Sequence, residues 1–239
     1  MSRLFVMLLI LLSDLAWAQL PAVVWAGGTG DVGMDNGQVI ALDAAGNIVM
    51  TGYFTSPVIT FGSTTLTNAD SLGTADFFVA KYSSSGSVLW AQRIGGSSNE
   101  YGYGVATDAA GNIVVSGSFT SATITLGNIT LFNANPAGTS SDIFFAKYDA
   151  AGNVLWAKSS GGINWDNGSQ VATDKFGNVF VTGYYASSQI TFGATTLNNS
   201  GIYDVFLAKY DAGGNFLWAR SSVGSGSDIG NNVAVDPNG

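Results

Sequence analysis

Cysteine and histidine are both absent from this chain of 239 residues, and only 8 of its residues are Lys or Arg. Without cysteine there is no thiol nucleophile, no disulfide and no thiolate zinc site. Without histidine the commonest general base and the commonest transition-metal ligand are missing, so no Ser-His-Asp or Cys-His arrangement can be assembled. The 16 acidic residues give a formal charge of −8. The few cations are spread singly, which leaves no basic patch for nucleic acid or an anionic membrane surface. Charged residues are scarce at 10%, yet 46% of the chain is hydrophobic, which separates it from disordered sequences and allows a core. Abundant Gly, Thr, Val, Ile and aromatic residues, with little Glu or Lys, favour strands and tight turns over helices.

Long apolar runs are also lacking, with one exception. Arg3 is followed by "LFVMLLILL" (Leu4–Leu12) and by the small-x-small end "AWA" (Ala16–Ala18). That is the layout of a secretory signal peptide with cleavage after Ala18. The run is shorter than the roughly 20 residues that span a bilayer. The expected product is an exported domain of residues 19–239 with no membrane insertion.

What the sequence does contain is a repeat. Trp25, Trp90, Trp156 and Trp218 lie 65, 66 and 62 residues apart, and Asp43, Asp108, Asp174 and Asp236 keep the same period. The units fall at approximately 26–91, 92–157 and 158–219, with a partial one at 220–239. Each unit opens with an acidic residue followed two later by Gly, then "IALDAAGNIVMTGYF" or its equivalent. A threonine-rich piece such as "ITFGSTTL" follows, and "DFFVAKYSSSGSVLWA" or its equivalent closes the unit. The first and last pieces are each two apolar runs joined across a D-x-x-G-N-like turn, where Asp caps the turn and Gly takes positive φ. Four strands, A to D, therefore make a unit. The middle piece, with Gly62, Gly127 or Gly193 at its centre, reads as an inserted type II′ hairpin.

Strand C, "DFFVAKY", is apolar on both faces, as in a sheet packed between two other layers. Strand A is small, with Gly37, Gly102, Gly168 and Gly230 ahead of Ala41, Ala106, Ala172 and Ala234. Four-stranded units in series, with small residues on the innermost strand, point to an all-β fold of the β-propeller type rather than a solenoid. Three complete blades of about 65 residues with partial ones at the ends fall short of the usual ring of four to eight blades. The expectation is a truncated or open propeller belonging to a longer protein.

The acidic-x-Gly start, "IALDAAGNIVMTGY", "DFFVAKY" and "VLWA" together resemble the bacterial SBBP β-propeller repeat, over essentially residues 23 to 239. The resemblance implies an exported bacterial scaffold and assigns no catalytic residue.

Asp35, Glu100, Asp166 and Asp228 each stand eight residues before a turn aspartate. At equivalent positions in successive blades they could form a carboxylate ring that holds a hard cation such as Ca²⁺. Alternatively, each could cap the start of its own inner strand or bond the backbone of a neighbouring blade. Lys81, Lys147 and Lys209, in "AKY", are expected to snorkel to water. The repeated tryptophans are expected to pack between blades. Trp165, in "GGINWDNG", lies off the tryptophan pattern and is the candidate ligand contact. Sequons at Asn128, Asn167 and Asn198 matter only in a eukaryotic secretory route. Asp31 and Asp70 are the acids outside the repeat pattern, too few to suggest a hydrolytic carboxylate pair. The sequence points to an exported, non-catalytic scaffold for protein or glycan contacts at a bacterial surface. The alternative is a propeller enzyme, a polysaccharide hydrolase or lyase, with carboxylates near the channel mouth.

Overall fold

The computed structural model describes residues 28–70 and 73–236. The expected signal peptide, Trp25, most of the first outer strand at "VVWAGG" and the last residues of "VAVDPNG" lie outside the described residues. Among the described residues no helix is long and apolar enough to cross a membrane.

Each D-x-x-G-N-like turn forms for the reason its residues suggest. Asp108 shows the pattern: its carbonyl accepts from Gly111 N at 2.9 Å, and its Oδ1 accepts from Ala110 N and Asn112 N. Asn112 Nδ2 donates back to Asp108 Oδ2, and Gly111 takes φ 79°. Two such turns per unit produce two hairpins.

The first unit comprises β1 (Asp35–Leu42), β2 (Ile48–Phe54), β5 (Asp76–Tyr82) and β6 (Val88–Ile94), with the small hairpin β3 (Val58–Phe61) and β4 (Thr64–Thr67) inserted. The second comprises β7 (Glu100–Thr107), β8 (Ile113–Phe119), β11 (Asp142–Tyr148) and β12 (Val154–Ser160), with β9 (Thr123–Leu126) and β10 (Ile129–Phe132) inserted. The third comprises β13 (Asp166–Thr173), β14 (Val179–Tyr185), β17 (Asp204–Tyr210) and β18 (Phe216–Ser221), with β15 (Gln189–Phe192) and β16 (Thr195–Asn198) inserted. Each unit is a four-stranded antiparallel sheet in the order A-B-C-D, and each insertion is a separate two-stranded sheet. Glycines 62, 127 and 193 have φ between 55° and 58°, and no described non-glycine residue has positive φ. That combination is the type II′ turn expected for these hairpins.

The units pack face to face through their C strands. β11 is buried along its whole length, with Phe144 and Ala146 facing the first unit's core and Ile143 and Phe145 facing the third's. Burying each such phenylalanine contributes about 1.5–3 kcal/mol. The inner strands approach closely: a Cβ on Gly102 would overlap the ring of Phe77 in the preceding unit. Thr107 Oγ1 donates to Leu42 O, and Thr173 Oγ1 to Thr107 O, which links successive inner strands. The result is an all-β, propeller-like stack of four-stranded sheets.

Two expectations need correction. The first concerns the "AKY" lysines, because Lys81 and Lys147 do not reach water. They are 3% and 2% exposed and pair with the turn aspartates Asp43 at 3.0 Å and Asp108 at 2.8 Å. Each ammonium also bonds the C–D turn of the next unit, at Ala150 O and Ala212 O. The turn carboxylate and those carbonyls supply what solvent would otherwise provide. The same carbonyls accept Trp90 Nε1 and Trp156 Nε1, so the tryptophans do pack between units, with an added hydrogen bond. The second concerns the fourth inner strand, since residues 229–236 form no strand. In the other units strand A pairs with strand B across the turn, and here the residues that complete that turn are outside the described set.

Candidate functional site

The most functional-looking geometry lies on the inner strands. In all three the A–B register slips by one residue at the same place: between Gly37 and Val39, Gly102 and Gly104, and Gly168 and Gln170. The skipped residues are Gln38, Tyr103 and Ser169. A β-bulge leaves its extra residue unpaired and re-aims the side chain, which is why bulges recur beside functional sites. Asn231 holds the equivalent position after Asp228.

Tyr103, Ser169 and Asn231 converge, whereas Gln38 does not join them. Tyr103, Asn167, Ser169, Tyr184 and Asn231 line one depression of about 330 Å³ that crosses from the second unit to the start of the fourth. Asn167 Nδ2 donates to the Tyr184 hydroxyl at 2.8 Å. Tyr184 meets Tyr203 edge to face at 5.3 Å. The row continues backward: Tyr103 stacks near Tyr101 at 6.0 Å, Tyr101 meets Tyr53 at 4.9 Å, and Asn36 Nδ2 approaches the Tyr53 hydroxyl at 3.4 Å. Among the described residues, none that lines the depression is charged. Burial pushes the Tyr103 hydroxyl up to about 12 and raises Tyr101 as well, so both stay protonated donors at neutral pH.

The acids singled out in the sequence lie elsewhere. Glu100 and Asp166 are fully buried, each folding a corner of its own unit. Glu100 accepts from Gly96 N and Ser121 N. Asp166 accepts from Gly162 N, Ala186 N, Ser187 N and Ser187 Oγ. Asp35 takes the same role with Ser56, and Asp228 accepts from Ser222 Oγ at 3.2 Å. These bonds match the capping alternative. Among the described residues, no group of three or more acidic side chains is placed to hold a metal ion. Trp165 is 52% exposed; its carbonyl accepts from Ala186 N, as Asn99 O accepts from Thr120 N. Its backbone thus follows the repeat, and its side chain does not line the depression.

A second set of acids was not recognised in the sequence. Asp76, Asp142 and Asp204 open the C strands, are at most 2% exposed, and each has a buried Oδ1 without a hydrogen-bond partner among the described residues. Asp76 has Arg93 at 2.7 Å, whereas the facing residue in the second unit is Ser159. Burial, reinforced by nearby Asp166, raises Asp142 to about 7. Burial, reinforced by Asp76, raises Glu100 to about 8.

Stability should follow these shifts. A carboxyl whose folded pKa is raised binds its proton more tightly in the native state, so stability declines as pH rises from about 4 towards 8. Asp43, held down to about 2 because Asn47 and Lys81 outweigh its burial, acts oppositely and loses its contribution only below about pH 4. Urea denaturation should show greatest stability near pH 4–5, and Glu100→Gln should flatten the decline above it. A wild-type profile that rises from pH 5 to 8 would contradict this.

No protein-family model matches the chain. It is 25% identical, over an alignment of 245 positions that covers 89% of the chain, to an uncharacterized WD repeat-containing protein of Acanthamoeba polyphaga mimivirus. It is 28% identical over 154 residues, 64% of its length, to the regulatory protein FlaEY of Caulobacter vibrioides. The matched regions are 17% and 16% of those proteins, so the chain spans less than a fifth of the curated relatives it matches.

Proposed function

We propose that this chain is part of a β-propeller of about 65-residue blades, of the SBBP type, and that it is an exported, non-catalytic scaffold for contacts at a bacterial surface. Three blade-like units bound by repeated Lys and Trp contacts support the propeller reading, as does likeness to a WD repeat-containing protein. The observation that carries the binding role is the uncharged tyrosine and asparagine depression built on the bulges. A repeated bulge keeps the frame constant while its extra residue changes from Gln38 to Tyr103 to Ser169, which is how a repeat protein varies its contacts.

The enzyme alternative needs carboxylates or an ionised tyrosine facing a ligand. The strongly perturbed acids Glu100 and Asp142 are buried and do not line the depression. Burial pushes Tyr103, one of its two tyrosines, up to about 12. The test is incubation with neutral and acidic polysaccharides, followed by assays for new reducing ends and unsaturated sugar products. Neither product should form. Turnover that survives purification and scales with protein would overturn the non-catalytic reading. Export is tested separately, by finding the start of the mature chain at Gln19.

A further inference from the structure

We infer that the bulge-lined depression binds a neutral oligosaccharide chain, an assignment that rests on the scaffold reading and specifies its ligand class. The volume, about 330 Å³, falls at the small end of the roughly 300–1,000 Å³ typical of ligand pockets. Its lining combines two rings, two amides and a hydroxyl. Half-buried tyrosine rings offer flat faces for the C–H surface of a pyranose and a polar hydroxyl at the edge. Asn167 and Asn231 offer amides, each with two donors and an acceptor, to adjacent sugar hydroxyls. The Asn167 bond to the Tyr184 hydroxyl holds that hydroxyl as an acceptor and directs its own proton elsewhere, so two functional groups are oriented before any ligand arrives.

Charge decides the sugar class. Among the described residues no Lys or Arg lines the depression, and Lys81 and Lys147 are committed to buried aspartates at the turn end of the units. A uronic acid or phosphorylated glycan would therefore meet a chain of formal charge −8 without a cation to pair with. A neutral sugar carries no such penalty. Extent decides chain length: the tyrosines continue from Tyr103 through Tyr101 to Tyr53, from the second unit into the first. The depression itself crosses units, from Tyr103 in the second to Asn231 at the start of the fourth, which suits successive rings of one polymer better than a single monosaccharide.

A peptide is the competing occupant, and the test includes it. Cellohexaose, maltohexaose, xylohexaose, an oligogalacturonate and a casein digest are titrated calorimetrically into the whole chain at millimolar concentration. Binding of at least one neutral hexamer is expected, with the oligogalacturonate weaker. Tyr184→Ala and Tyr103→Ala should each weaken it by about tenfold or more, as for truncated anchor residues. Tyr103→Phe, which keeps the ring, should lose less, and melting curves confirm that each variant folds. No binding by any neutral hexamer, preference for the oligogalacturonate, peptide binding alone, or binding indifferent to both tyrosine truncations would each overturn the inference. The peptide result would leave the non-catalytic scaffold standing, whereas sugar turnover would remove the scaffold reading itself.

Discussion

Lys147→Met should cost about 3–5 kcal/mol in urea denaturation, an effect large enough to threaten folding of the stack. Lys147 is 2% exposed, and its ammonium holds Asp108 at 2.8 Å, Gly177 O at 3.2 Å and Ala212 O at 3.3 Å. Methionine fills much the same volume, so the loss falls on Asp108, which stays buried without its countercharge. Burial already pulls the Asp108 carboxyl upward, and the bonds from Lys147 and Asn112 outweigh it. Adding Asp108→Asn should therefore recover much of the loss, because the turn keeps a polar cap and no lone charge remains. Lys209→Met is the internal control. Its pair with Asp174 is longer, 3.5 Å, and water reaches the lysine, which is 22% exposed although Asp174 is 2%, so the cost should be clearly smaller than at Lys147. Equal losses at 147 and 209 would mean that the lysines do not join the units.

The second large effect is expected at Gly183. A Cβ there would overlap the Asn167 carbonyl oxygen and lie 2.8 Å from the ring of Phe206. Gly183 faces Gly168 beside the bulge that presents Ser169, so Gly183→Ala must move β13 or β14. The stability cost should be about 1–3 kcal/mol, the usual range for overpacking. Because Asn167 and Tyr184 flank the displaced segment, neutral-sugar binding should be lost as well. Gly213→Ala provides the contrast: its Cβ would meet only ordinary contacts, the nearest at 3.4 Å, and the equivalent positions already carry Ala45, Ala110 and Ala151. Its effect should stay within about 0.5 kcal/mol. If Gly183→Ala were equally silent, the bulge geometry would not depend on the paired glycines.

Turns and strands were legible in the sequence because their signals are local. An aspartate, a glycine and an asparagine within five residues fix the chain reversal, and Asp108 with Gly111 behaves as those letters suggest. The apolar faces of β11 likewise announced two covering layers. The lysines were misread because their partners are not local. Only the stacked fold places the A–B turn of one unit, the end of its C strand and the C–D turn of the next around one ammonium. The acids at 35, 100, 166 and 228 were recognised as equivalent, but a period does not say which way a carboxylate points. The bulge row was missed for the opposite reason: comparing units draws attention to positions that stay the same, whereas Gln38, Tyr103, Ser169 and Asn231 differ. The signal was a variable residue just after the constant acidic-x-Gly.

The central claim is that the bulge row is the ligand-contact surface, and hydrogen exchange read by mass spectrometry tests it directly. The chain is measured alone and with each of cellohexaose, maltohexaose and xylohexaose at millimolar concentration. The expected result is slowed exchange confined to residues 101–104, 167–170, 183–185 and 230–232 with at least one of these sugars. Slowed exchange centred instead on the loop around Trp165 or on the turns at Asp108 and Asp174, or no change with any of the three, would contradict it.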